Sequence, residues 1–146
     1  MARVAIIGTG FIGRAWAITF ARAGHEVALW DQARDAPSRA IEFITSVAPD
    51  LATNDLLDGA TPPTLLARLR IESDLANALA GADHVQESAP ENLDAKRRLF
   101  VELDWLAPQG AILASSSSAL LPSRFTEGLP GRHRCLVIHP HPACGS

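Results

Sequence analysis

Gly8, Gly10 and Gly13 stand in the order Gly-Thr-Gly-Phe-Ile-Gly, directly after the apolar run Val4 to Ile7. That spacing suits a loop whose amides close around a diphosphate. Gly8 would make the tight turn, and Gly10 would let the backbone approach the phosphates with no Cβ in the way. Gly13 would let a helix pack close on the strand. The start of that helix adds unpaired N–H donors and a partial positive charge. Asp31 ends the next apolar run about 20 residues farther on, where a carboxylate accepts hydrogen bonds from the adenosine ribose and repels a 2′-phosphate. Together these residues point to NAD rather than NADP. The competing reading makes the glycines plain turn residues and Asp31 the cap of the next helix; the order of strand, glycines, helix, strand and acid speaks for the dinucleotide. Arg34 reads as a solvated residue at a helix start.

A second group could move a proton. Ser115 to Ser118 follow a short apolar strand, and His139 follows the last one. A neutral imidazole can take the proton of a substrate hydroxyl as its carbon releases hydride, and Ser118 could hold that oxygen by a hydrogen bond. Alternatively the serines form a polar turn and His139 is a strand-end histidine without duty. A metal at His139 and His141 lacks its third and fourth ligands, so no metal is assigned. A Ser/His hydrolase lacks the G-x-S-x-G elbow. His25, His84 and His133 are given no role, and Cys135 reads as a buried thiol in an apolar run.

Lys96 is the chain's only lysine. At about 100° per residue it falls on the same helical arc as Leu99, Phe100, Leu103 and Leu106. A cation on a buried arc near the helix start lies at the sheet edge where a ligand binds. The alternative is a lysine whose stem packs while its head reaches water. Glu91, after Pro90, shares that edge or supplies a favourable first-turn charge.

The elements that must position these groups alternate. Strands are expected at Val4–Ile7, Val27–Trp30, Leu69–Ile71, His84–Glu87, Ala111–Ala114 and Cys135–Ile138. A helix starts in the glycine motif and stops near Gly24. Others are expected from Ala36, ended or kinked at Pro49, from Pro62 and Pro63, over Asp74–Ala80, from Asn92 to about Leu106, and near Pro122. Such alternation implies an α/β fold, a Rossmann-type, doubly wound, mostly parallel sheet with a helical insertion after the second strand. Residues 1–146 read as one domain. Of the 146 residues 47% are hydrophobic and the net charge is −3, which gives neither the basic footprint of a nucleic-acid binder nor a polybasic membrane anchor. The run Val4–Gly13 is broken by glycines and Arg14, so it is neither a spanning helix nor a signal peptide, and a cytoplasmic protein is expected. Two cysteines supply no disulfide framework.

Four stretches carry a resemblance: Val-Ala-Ile-Ile-Gly-Thr-Gly-Phe-Ile-Gly-Arg-Ala-Trp-Ala, Gln-Glu-Ser-Ala-Pro-Glu-Asn-Leu-Asp-Ala-Lys, Ser-Ser-Ser-Ala-Leu-Leu-Pro-Ser, and the terminal His-Pro. From Arg3 to about Pro140 the chain resembles the NAD-binding domain of the 3-hydroxyacyl-CoA dehydrogenase family, within it the branch of L-gulonate 3-dehydrogenase (lambda-crystallin) and carnitine dehydrogenase. The resemblance implies an oxidoreductase with NAD as cofactor, the backbone of Phe11 and Ile12 close to its diphosphate, Glu91 and Lys96 in contact with it, Ser118 on the substrate oxygen and His139 as general base. It also implies a homodimer in the full-length family. The family continues its histidine as Pro-x-Asn-Pro, then supplies an orienting glutamate and an all-helical domain. Here Pro142 takes the asparagine position and the sequence stops at Ser146, so cofactor binding is expected to outlast turnover. Acyl-CoA members carry basic residues in the helical insertion, whereas Ala40–Ala67 holds Asp50, Asp55 and Asp58 and no cation. Repulsion of CoA phosphates favours a small hydroxy acid as substrate.

Overall fold

The computed structural model describes residues 1–90, 92–116 and 135–137. Among these residues six parallel strands form one sheet: β1 (Arg3–Ile7), β2 (Glu26–Trp30), β3 (Leu69–Ile71), β4 (His84–Glu87), β5 (Ile112–Ser115) and β6 (Cys135–Val137), in the order β3-β2-β1-β4-β5-β6. The crossovers carry α1 (Phe11–Arg22), α2 (Ala36–Thr53), α3 (Pro62–Ala67), α4 (Leu75–Leu79) and α5 (Leu93–Leu106). Strand order reverses between β1 and β4, and at such a switch point the loops leaving two neighbouring strands part to open a crevice.

The continuous apolar character of β1 follows from its place at the centre. Alternation sends Val4 and Ile6 into a core with Trp16, Ala17, Ile44 and Leu65, and Ala5 and Ile7 into a second with Leu79, Phe100, Leu103 and Leu113. Both faces of the strand are therefore dry, which fixes where its last residue delivers the glycine loop.

Three expectations need adjusting. Pro49 does not end its helix: α2 runs through it to Thr53. The ring is exposed, so the Thr45 carbonyl that loses its partner can be solvated, while Ala40, Ile44 and Ala48 bury the opposite face completely. Leu106 is exposed, and Ala107 buries in its stead because the helix ends there and the chain turns inward. Ala111 is held in a turn by Pro108, so β5 begins one residue later and reaches Ser115. The helix expected near Pro122 and the strand end at Ile138 lie outside the described residues.

α5 starts on Asn92, whose side chain accepts a hydrogen bond from the Ala95 amide at 3.0 Å. Asn92→Ala is expected to cost about 1 kcal/mol and to lower Tm by about 3 °C in a thermal melt.

Candidate functional site

The glycines differ in what surrounds them. Gly8 adopts φ +98°, and a Cβ there would lie 2.7 Å from the Ser88 carbonyl carbon, in the turn that follows β4. Its amide donates to the Trp30 carbonyl at 2.9 Å, which ties the loop to the end of β2. A Cβ on Gly13 would overlap the Gly8 carbonyl oxygen. At Gly10 a Cβ meets nothing within 4 Å. Gly10 is the N-cap of α1, with no side chain capping the helix and no acid in its first turn. The amides of Phe11, Ile12 and Gly13 have no acceptor within the helix. The sequence thus leaves donors, positive end of the helix dipole and open space at one point.

That point opens on a cavity of about 350 Å³ walled by Gly10, Phe11, Ile12, Ser88, Pro90 and Ser116. Behind Gly8 lies a smaller one of about 130 Å³, with Trp30, Asp31, Asn92, Lys96 and Leu99 in its walls. Ala89 and Pro90 border both.

Asp31 stands at the end of β2, and its carboxylate is already oriented. Oδ2 accepts from the Thr9 amide at 2.8 Å and from Thr9 Oγ1 at 3.2 Å, while Oδ1 accepts from the Ala33 amide at 2.9 Å. The N-cap of α2 is Asp35, so Asp31 is not that helix's cap. Thr9, the residue between the first two glycines, was not singled out in the sequence. Its hydroxyl is the signal, since a small donor there can reach an acid at the adjoining strand end. Arg14 Nε donates to the Thr9 carbonyl at 3.0 Å, and its guanidinium lies over the Phe11 and Phe43 rings.

Lys96 lies on the buried arc as its spacing predicts, but its head does not reach water. Its ammonium sits 3.0 Å from Glu87 Oε2, and both side chains are fully buried. Glu87 Oε1 also accepts from Ser115 Oγ at 2.6 Å, and Oε2 from the Ala89 amide at 2.7 Å. One carboxylate therefore joins β5, α5 and the turn after β4. Burial pushes the Glu87 carboxyl above its ordinary range, against the pull of the Lys96 charge and of the Ser115 and Ala89 donors. Glu87 escaped the sequence reading as the last residue of the expected strand His84–Glu87; a lone lysine on a buried arc was the clue that an acid must face it.

On the other face of β4, His84 Nε2 bonds Gln86 Oε1 at 2.9 Å, Gln86 Nε2 donates to Ser116 Oγ at 2.8 Å, and Ser116 Oγ meets Ser88 Oγ at 2.9 Å. His84, which the sequence gave no role, begins this row; burial lowers its pKa and favours the neutral ring. Glu91, Ser118 and His139 lie outside the described residues. The structure brings together Gly8, Gly10, Phe11, Ile12, Gly13, Asp31 and Lys96 around the two cavities or directly behind them.

Among the described residues no helix is long and apolar enough to cross a membrane. The lambda-crystallin homolog of Bos taurus is 42% identical over 142 residues, covering 94% of this chain and 43% of the relative. The L-carnitine dehydrogenase of Nocardiopsis dassonvillei is 41% identical over 137 residues, covering 94% of this chain and 40% of the relative. The chain thus spans less than half the length of these relatives. The crystal structure of 3-hydroxybutyryl-CoA dehydrogenase from Escherichia coli superposes with a TM-score of 0.87 at 32% identity, over 94% of this chain and 29% of that one. Residues 3–143 match the family described as 3-hydroxyacyl-CoA dehydrogenase, NAD binding domain. The open glycine corner, the oriented acid beside it and these matches agree: the chain belongs to the 3-hydroxyacyl-CoA dehydrogenase family and is its NAD-binding domain.

Proposed function

We propose that this domain serves an NAD-dependent dehydrogenase that oxidises the CH–OH group of a small 3-hydroxy acid of the L-gulonate type. The observation that carries the reading is the corner at Gly10, where unpaired amides, the positive helix end and an unfilled Cβ direction coincide. NAD, when bound, supplies the hydride acceptor. Gly8, Gly10, Phe11, Ile12 and Gly13 cradle its diphosphate, and Asp31 takes the adenosine ribose hydroxyls with a carboxylate that Thr9 and Ala33 hold in place. Glu91 and Lys96 contact the cofactor, as the family resemblance implies. Ser118 holds the substrate oxygen, and His139 removes the hydroxyl proton onto its imidazole. The substrate class rests on the insertion at 40–67, which carries no Lys or Arg for CoA phosphates.

NADH titration should show saturable energy transfer from tryptophan, Trp30 being in the wall of the smaller cavity. Absence of any saturable signal would overturn the reading. Asp31→Ala, which deletes a charged acceptor, is expected to raise the Kd for NADH about tenfold or more with the far-UV spectrum unchanged. Free CoA added to the NADH-loaded protein is expected to produce no calorimetric signal; micromolar CoA binding would shift the substrate to acyl-CoA.

A further inference from the structure

We infer that Ser88 positions the cofactor by donating its hydroxyl hydrogen to the nicotinamide-nucleotide half of NAD, and that the row from His84 through Gln86 and Ser116 fixes the direction of that donation. The inference rests on the NAD reading above and gives a role to residues for which neither the glycine motif nor the family resemblance supplied one.

His84, Gln86 and Ser88 occupy alternate positions and so share one face along β4 and its exit. That face looks toward α1, whose Phe20 ring lies 5.1 Å from the His84 ring. The polarity of the row follows from what each group can do. The Gln86 amide nitrogen is on Ser116, so its carbonyl oxygen accepts, and His84 Nε2 carries the hydrogen it accepts. Ser116 Oγ takes a hydrogen from Gln86. The two serine hydroxyls then hold two hydrogens and one mutual bond between them. One hydrogen is left over. Ser116 is 5% exposed, whereas Ser88 is half-buried in the cavity wall, so the buried hydroxyl spends its hydrogen on Ser88 and the spare one is Ser88's. It borders the same cavity as the open amides of Phe11 and Ile12.

Placement decides which part of the cofactor meets it. Asp31 ends β2, on one side of β1, while Ser88 and Ser116 follow β4 and β5 on the other. A dinucleotide laid across the switch point with its adenosine at Asp31 brings its second ribose and phosphate to the serines, and these present oxygen acceptors to a hydroxyl donor.

The test compares NADH with AMP, which keeps only the adenosine end, by fluorescence and calorimetry on the purified chain. Ser88→Ala is expected to raise the Kd for NADH about fivefold and to leave that for AMP unchanged. Ser88→Thr, which retains the hydroxyl, should restore NADH affinity. Gln86→Met should weaken NADH in the same direction although Gln86 borders neither cavity, and the Ser88→Ala/Gln86→Met double variant should bind no worse than Ser88→Ala alone. Circular dichroism and Tm check that each variant is folded. Unchanged NADH affinity in Ser88→Ala while the parent binds NADH overturns the inference alone, as does an equal loss for AMP. Additive losses in the double variant overturn the relay. A parent chain that binds no NADH overturns both this inference and the function it rests on.

Discussion

Gly13→Ala is expected to damage the fold, whereas Gly10→Ala is expected to leave the fold intact and weaken cofactor binding. The two positions are three residues apart in one motif, yet their surroundings oppose each other. The methyl group at position 13 would overlap a backbone carbonyl oxygen, that of Gly8, which no side-chain rotation can move aside. Relief requires α1 to lift from β1, and overpacking of this kind costs about 3 kcal/mol, or roughly 10 °C in Tm. At position 10 the backbone has φ −71° and ψ −164°, open to any residue, and the methyl group meets no atom within 4 Å. Stability should stay within about 0.5 kcal/mol of the parent. The same methyl fills the space into which the helix amides point, so the Kd for NADH should rise roughly 10- to 100-fold. Thermal melts and NADH titrations of both variants check the pair. A Gly10→Ala protein that keeps parental affinity would move the diphosphate away from this corner.

Lys96→Met is expected to lower stability by about 3 to 5 kcal/mol, because it strands the Glu87 carboxylate in a fully dry site. Replacing both partners, in Glu87→Leu/Lys96→Met, should recover much of the loss, since neither charge then needs solvation. The loss in the single variant should also depend on pH. Burial raises the Glu87 pKa and the Lys96 charge opposes that rise, so removing the ammonium drives the carboxyl higher still. The folded variant then binds a proton that the unfolded chain has released. Its stability is fullest below the ordinary carboxylate pKa and falls as pH rises through the raised folded value. Urea melts at pH 5 and pH 8 should therefore show a smaller deficit at the lower pH. A deficit independent of pH would mean that Glu87 is not what the lysine neutralises.

The strands and the glycine corner were legible in the sequence because both depend on short-range rules. The continuous apolar run Val4–Ile7 reads as a strand buried on both faces, and only glycine fits at Gly8 and Gly13. Lys96 was legible as an anomaly, a charge on an apolar arc, but its partner was not. Glu87 lies nine positions before it on a different element, and no periodicity links the two. Thr9 and Gln86 were missed for the same reason. Each matters through a bond to a residue distant in the chain, Thr9 to Asp31 and Gln86 to Ser116, so only the folded arrangement reveals it. Pro49 shows the converse: a local rule for ending helices yields where three fully buried residues on the opposite face hold the helix in place.

Thr9 binds Asp31 through both its amide and its hydroxyl, which makes the acid proposed to read the sugar a strut of the loop proposed to read the phosphates. Retooling the chain for a phosphorylated coenzyme would therefore call for paired changes at both positions, since a basic side chain introduced at Asp31 alone arrives with its loop unbraced.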